Sequence, residues 1–401
     1  MPQLKDGHSV ALLQGGADFF PALVRAINES EHEVRLETYI FNFDASGAQV
    51  ANALIAAARR GVAIRVVIDG AGTPDLPIEW TNRFDQAGVQ WRLFSRLHGL
   101  GWFVPSRWRR LHRKLCVVDG RIAFCGGINL LDDFYDPNHG ALEAPRFDFA
   151  VAVTGPLVRD VTETMAHFWW RLKAAKEARH FDFAAAWTAL EAAVQPAFGM
   201  DSTDSTRKSR GAVAGLVLRD NLRRRTRIER AYRQAIADAH TEIIIANAYF
   251  VPGAKLRYAL INAARRGVKV RLLLQGRYEY FMQYHAARPV FGQLLAAGVE
   301  IHEYARSFLH AKVAVVDSRW ATVGSSNLDP LSLLLAREAN VVVVDVAFAR
   351  DLRQRLDVAM LQHGTRLDPD VYANRPWRQR LLDRCAFGLM RLMLFLNGSR
   401  Y

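Results

Sequence analysis

Apolar positions along the chain follow two periods, and the succession of periods occurs twice. From Gln49 to Ala58 the apolar residues fall three and four apart, which predicts a helix stopped by Gly61; the same spacing returns from Lys255 to Ala264, with Gly267 behind it. Each helix is followed by an aliphatic run, Ala63–Ile68 and then Lys269–Leu274. Each is preceded by a strand-like segment ending in aromatic residues, at Tyr39-Ile40-Phe41 and Ala248-Tyr249-Phe250. The segment Ala57-Ala58-Arg59-Arg60-Gly61-Val62 reappears as Ala263-Ala264-Arg265-Arg266-Gly267-Val268, and Ala-Gly-Val follows later in each half, at 87–89 and 297–299.

Each half therefore reads strand, helix, strand, helix, strand, hairpin. Strands alternating with helices predict an α/β fold, a sheet flanked by helices. A repeat near 200 residues long is a duplicated domain and not a solenoid. The length of 401 residues, half of them hydrophobic, suits two such units. We place a first lobe at 1–205, a second at 206–370 and a basic amphipathic tail at 371–401. The polar stretch Met200–Thr206, followed by Arg207, Lys208 and Arg210, reads as an exposed linker. The run Arg223-Arg224-Arg225-Thr226-Arg227 reads either as a solvated helix face or as an anion contact.

Charge narrows the partners. Lysine and arginine exceed the acids by 13, which favours an anionic partner: nucleic acid, acidic lipid or a phosphorylated small molecule. Three cysteines, Cys116, Cys125 and Cys385, form no disulfide framework and point to a reducing compartment. The first twenty residues carry Lys5, Asp6 and Asp18 and lack a signal-peptide pattern. No uncharged apolar stretch is long enough to predict a spanning helix.

The halves also repeat a reactive motif, H-x-K-x4-D. One copy holds His112, Lys114 and Asp119; the other holds His310, Lys312 and Asp317. On a strand, residues two apart share a face, so each copy offers an imidazole beside an ammonium. Gly126-Gly127-Ile128-Asn129 and Gly324-Ser325-Ser326-Asn327 follow at similar distances, and Asn129, Ser326 and Asn327 can hydrogen-bond an oxyanion. Phosphodiester transfer needs a neutral basic nucleophile, an acid for the leaving alkoxide and cations against the developing charge. Two histidines supply the first two and two lysines the third. The ammonium opposes a metal in the same place, so no metal or other cofactor is implied. Asp119-Gly120 and Asp317-Ser318 are also good hairpin turns, so each aspartate reads either as a turn former or as a partner of the catalytic groups. Glu37 and Glu338 read either as site residues or as ordinary ion pairs.

These paired motifs resemble the phospholipase D superfamily, and within it the bacterial cardiolipin synthases of the shorter type B form. The likeness spans nearly the whole chain, including Leu36–Phe41, Ala246–Pro252, Gly126–Asn129, Gly324–Asn327 and Arg337-Glu338-Ala339-Asn340. It implies two lobes related by a pseudo-twofold axis, with one active site at their interface. It implies His112 as the nucleophile, forming a phosphohistidine, and His310 as the acid and base. Lys114, Lys312, Asn129, Ser326 and Asn327 would hold the phosphoryl group, with Glu37 and Glu338 in the substrate site. Its substrates would be phosphatidylglycerol and other anionic phospholipids, met by peripheral association with the cytoplasmic side of a bacterial cell membrane. A lipid hydrolase and a metal-independent nuclease are the alternatives.

Two segments bear on that choice. From Trp377 to Tyr401, Leu381, Cys385, Leu389, Leu392 and Leu396 form one helical stripe, and Arg380, Arg384 and Arg391 another. Such a helix either lies in a membrane interface or packs on the second lobe. Trp102–Arg110, just before His112, mixes tryptophan and arginine as a lipid interface does, and His167–Arg171 adds a similar cluster unless it is helix core. The same mixture can stack single-stranded nucleic acid, but we expect lipid and no nucleic acid.

Overall fold

The computed structural model describes residues 3–96, 108–179, 182, 185, 187–189, 191, 211–220, 225–278, 281–329 and 336–396. The expected boundary between 205 and 206, the stretch Met200–Thr206, Arg223, Arg224 and residues 102–107 of the Trp102–Arg110 segment lie outside these.

The first lobe runs β1 (Lys5–Gln14), α1 (Gly15–Asn28), β2 (Glu33–Thr38), α2 (Ala45–Arg59), β3 (Ala63–Asp69), α3 (Ile78–Ala87), β4 (Gln90–Phe94), β5 (Arg110–Leu111), β6 (Lys114–Val118), β7 (Ile122–Gly126), β8 (Tyr135–Asp136), β9 (Gly140–Ala141), β10 (Phe149–Thr154) and α4 (Leu157–Arg179). The second runs β11 (Ala212–Arg219), α5 (Arg227–Ala237), β12 (Glu242–Asn247), α6 (Ala254–Arg265), β13 (Lys269–Gln275), α7 (Phe281–Leu295), β14 (Glu300–Tyr304), β15 (Lys312–Val316), β16 (Trp320–Gly324), β17 (Ala336–Val344), α8 (Val346–His363) and β18 (Gly364–Arg366). Two last helices follow, α9 (Pro369–Ala373) and α10 (Trp377–Leu396).

The predicted helices form where the spacing placed them. Asp44 caps α2 by accepting the Gly47 N–H. Gly61 and Gly267 take the left-handed conformation, φ 95° and 89°, that ends α2 and α6 and lets the chain return into the sheet. In each lobe two parallel pairings, β2–β3–β4 and β12–β13–β14, meet an antiparallel hairpin, β6–β7 and β15–β16. The strand order is the same in both lobes except that β18 adds an edge strand beside β14 in the second, and they join edge to edge where β1 pairs antiparallel with β11.

The duplication does not give two independent cores. The inner faces of both half-sheets share a central core, which packs Leu115, Val151 and Val153 with Val313, Val341 and Val343 under α4 and α8. Separate outer cores lie behind each sheet, under α1 and α2 in the first lobe and under α5, α6 and α7 in the second. Burial of the central core welds the lobes, because parting them would expose an apolar face from each.

The tail is part of the second lobe. The expected boundary at 370–371 falls inside α9, and α10 packs on α7 through buried Asp383, Ala386 and Met390. Asp383 accepts from His285 at 2.7 Å and from Arg375 at 3.2 Å. The stripe singled out in the sequence is not the packed face: Leu381, Leu389 and Leu392 are more than half exposed, and Cys385 is exposed too. Among the described residues no helix is long and apolar enough to cross a membrane. The His167–Arg171 cluster is divided: Phe168 and Trp169 are buried in the core, Trp170 is half-buried, and His167 and Arg171 are exposed.

Candidate active site

Each histidine of the repeated motif stands just before a central hairpin strand and is stitched into the opposite lobe. β5 pairs with Ala336 and Arg337 of β17, and the His112 N–H donates to the Arg337 carbonyl at 3.0 Å. Leu309 bridges to Phe147 in the same way, and the His310 N–H donates to the Phe147 carbonyl at 2.9 Å. These crossings bring each ring onto a carboxylate of the other lobe. His112 Nδ1 lies 2.9 Å from Glu338 Oε1, and His310 Nδ1 lies 2.6 Å from Asp148 Oδ2. Ser325 Oγ donates to Glu338 at 2.5 Å. With Nδ1 engaged, each imidazole keeps Nε2 for chemistry. Lys114 Nζ donates to the His112 carbonyl at 2.8 Å, and Lys312 Nζ donates to the His310 carbonyl.

The charges in this small volume act on one another. Burial lowers the His112 pKa, with Glu338 opposing and Lys114 and Lys312 reinforcing the shift. Burial, then Lys312, Lys114 and His112, hold His310 well below the ordinary range, so the two motifs share one electrostatic site. Burial likewise pulls Lys114 down to about 7. Burial pushes Glu338 up, but His112 and Lys114 outweigh it and keep it ionised. Asp148 is pushed up to about 6 by burial, against Lys312 and Lys114. Burial and the neighbouring ammonium groups thus favour neutral imidazoles at both positions, and an anion held beside them would favour the charged forms.

The other expected residues divide. Gly127 and Ser325 lie against the carboxylates: a Cβ at Gly127 would meet Asp148 Oδ1 at 2.3 Å, and Ser325 touches Glu338. Asn129 and Asn327 stand two residues beyond. Asn129 Oδ1 accepts from the Ile40 N–H at 3.3 Å. Asn327 Oδ1 is buried without a protein partner among the described residues, as is Nδ2 of Asn247. The Ser326 N–H donates to Asn340 Oδ1 at 3.3 Å.

Asp119 and Asp317 are not brought to the imidazoles. Asp119 follows β6, five residues past Lys114, on the order of 16 Å along a strand. It accepts from the N–H groups of Glu31, His32 and Glu33, all at 2.8 Å. Asp317 does the same for His240, Thr241 and Glu242. Both have φ 51°, so they form the hairpin turns and tie them to the starts of β2 and β12. Glu37 also points elsewhere. It lies opposite Leu115, hence on the other face from Lys114, and accepts from Arg113 in a buried pair. Arg113 and Arg337 both lie over the Phe168 ring. The second lobe has Ala246 and Ala311 at these places, so this pair belongs to one lobe's packing.

Sequence reasoning missed Asp148. Gly126 pairs with Ala150 as Gly324 pairs with Asn340, which makes Asp148 the counterpart of Glu338. The available signal was an acid two residues before that pairing, hidden by intervening loops of unequal length.

The family described as cardiolipin synthase, PLD-like domain, matches residues 23–142 and 232–359, one match in each lobe. Cardiolipin synthase B of Escherichia coli (strain K12) is 37% identical over 405 residues, covering 98% of this chain and 90% of that protein. The chain belongs to the cardiolipin synthase family of phospholipase D-like enzymes. A cardiolipin synthase of Alkalihalophilus pseudofirmus is 29% identical, covering 93% of this chain and 70% of its own. The fold extends beyond this family. Phosphatidylserine synthase of Haemophilus influenzae Rd KW20 has a TM-score of 0.64 at 13% identity, covering 96% of this chain and 94% of that one. Polyphosphate kinase of Porphyromonas gingivalis has a TM-score of 0.54 at 14% identity, covering 88% and 50%. The family's match in each lobe ends beyond the hairpin that follows the histidine, so both copies of the motif lie inside it.

Proposed function

We propose that this enzyme transfers a phosphatidyl group from phosphatidylglycerol to the hydroxyl of a second phospholipid, giving cardiolipin. The observation that carries the reading is the crossed pairing, in which each imidazole is fixed through Nδ1 by the other lobe's carboxylate. His112 Nε2 attacks phosphorus while the bond to the glycerol oxygen breaks, and that oxygen takes its electron pair and a proton from His310 Nε2. The acceptor hydroxyl then gives its proton to His310 and attacks phosphorus, and the phosphorus–nitrogen bond breaks back to His112. Lys114 and Lys312 face the charge that develops on the phosphoryl oxygens, and Asn129, Ser326 and Asn327 hydrogen-bond those oxygens in this reading. A bound phosphodiester anion raises the pKa of His310 and so favours the protonated imidazole that the leaving oxygen needs.

Membrane contact belongs to the same reading. Trp377, Leu381, Leu389 and Leu392 are exposed on α10, and Arg378, Arg380, Arg384 and Arg391 stand among them. Such a helix lies in the interface with its arginines on anionic headgroups. The name of the K12 relative supports cardiolipin as the product.

The test is incubation with labelled phosphatidylglycerol vesicles and, separately, with single-stranded DNA. Cardiolipin and free glycerol are expected from the full chain, neither from H112A, and from H310A no cardiolipin but acid-labile label on the protein with no more than one glycerol released per enzyme molecule. Phosphatidic acid as the sole product would make the enzyme a hydrolase. Cut DNA with intact lipid would overturn the lipid reading.

A further inference from the structure

The pseudo-twofold fails on one flank of the site. By the strand register, Lys114 corresponds to Lys312 and Glu37 to Ala246, which sets Tyr39 against Ala248. The Tyr39 ring stands edge-on to His112 at 4.9 Å, with the Lys114 ammonium over it at 5.4 Å. That flank of His112 is closed. Ala248 has no ring to put beside His310, and it instead lines a cavity of about 40 Å³ bounded by Tyr249, Gln275, Tyr284 and Arg288.

The walls of this cavity hold the residues on both sides of His310. The Ala248 N–H donates to the Ala311 carbonyl at 3.1 Å, and the Leu309 N–H donates to Gln275 Oε1 at 3.2 Å. The cavity lies beyond the carboxyl ends of the parallel strands β12 and β13, where α/β sheets take their ligands.

Its chemistry is that of a site for a neutral hydroxylated group. Gln275 spends its oxygen on Leu309, which leaves Nε2 buried without a protein partner among the described residues. The counterpart in the first lobe, Asp69, is fully engaged, accepting from Leu111 at 2.6 Å, Ala71 at 2.8 Å, Gly72 at 3.2 Å and Arg110 at 3.3 Å. A buried amide donor is costly to leave unpaired, so this one calls for an acceptor. Arg288 is neutralised by Glu303 at 2.6 Å, and Arg277 donates to the Ala305 and Arg306 carbonyls at 2.9 Å. Among the described wall residues, the buried donor left without a protein partner is therefore the neutral Gln275 amide.

We propose that the cavity beside His310 is the alcohol subsite of the reaction, holding the glycerol end of the departing headgroup and then the hydroxyl-bearing end of the acceptor. This rests on the phosphatidyl-transfer reading. Gln275 Nε2 donates to a hydroxyl oxygen of the polyol, which presents the reacting hydroxyl to His310 Nε2. The subsite then selects which alcohol meets the phosphohistidine.

The test is headgroup exchange on phosphatidylglycerol with labelled glycerol and with labelled methanol, by the full chain and by A248V and A248Y. Rebuilding the missing side chain should lower the glycerol-to-methanol exchange ratio in step with its size, by about tenfold or more in A248Y. If A248Y does not fold, the smaller A248V carries the test, with a ratio reduced severalfold. A ratio unchanged in a folded variant, or glycerol and methanol falling equally, overturns the subsite alone. A wild-type chain that exchanges neither alcohol overturns the transfer reading itself.

Discussion

Replacing Lys114 with methionine should stabilise the fold while removing transfer. Lys114 is 5% exposed, and its ammonium is pulled from 10.5 to about 7, by burial first and by Lys312 next among the lowering causes. The unfolded chain restores the ordinary value. At about 1.4 kcal/mol per pH unit, holding this group at pH 7 costs roughly 4 kcal/mol. Methionine is of similar length and carries no charge. It leaves the His112 carbonyl without its 2.8 Å donor, a loss of about 1–3 kcal/mol. The net expectation is a gain of roughly 1–3 kcal/mol at pH 7. The sign with pH follows from a folded pKa below the unfolded one. The wild-type penalty is complete below pH 7, shrinks as pH rises from 7 towards 10.5 and is gone above it. K114M should therefore lead the wild type at neutral pH and fall behind it near the upper end of that window. Urea melts of both proteins at the two pH values, followed by tryptophan fluorescence, measure the difference. Turnover should fall about 100-fold or more, since one cation facing the phosphoryl oxygens is lost. A variant less stable than wild type at pH 7, or a stability difference that does not move with pH, would refute the reasoning.

Three further outcomes are expected. E338Q presents an amide to His112 Nδ1 and favours the tautomer with the proton on Nε2, so formation of phosphohistidine should slow by about 100-fold or more; a rapid-quench burst close to the wild-type rate would show that Glu338 does not set the tautomer. D119N keeps a residue that tolerates φ 51° but weakens three charge-assisted hydrogen bonds, so it should cost about 1–3 kcal/mol in a urea melt with activity per folded molecule kept within about twofold. Serine at Leu381, Leu389 and Leu392, all exposed, should leave the melt unchanged and weaken sedimentation with anionic vesicles by about 100-fold or more; undiminished sedimentation would mean that this face does not meet the membrane.

Much of the molecule was legible from the chain alone. The repeated spacing at 49–58 and 255–264 fixed two helices, because an amphipathic period and a following glycine are local signals. The paired H-x-K motifs pointed to phosphodiester chemistry, because the reaction needs those groups and their recurrence is visible without a fold. Long-range pairing decided the rest. The sequence assigned Asp119 and Asp317 to either of two roles, and only the register put their carboxylates on the backbone of β2 and β12. Asp148 became the partner of His310 only when the lobes crossed, since neither its spacing nor its neighbours mark it. The stripe on α10 was visible, but which way it faced was settled by Asp383, Ala386 and Met390 docking on α7. The difference between Tyr39 and Ala248 had no meaning until the half-sheets were set in register. A chain records which side chains are available, and closure of the shared core determines which of them meet.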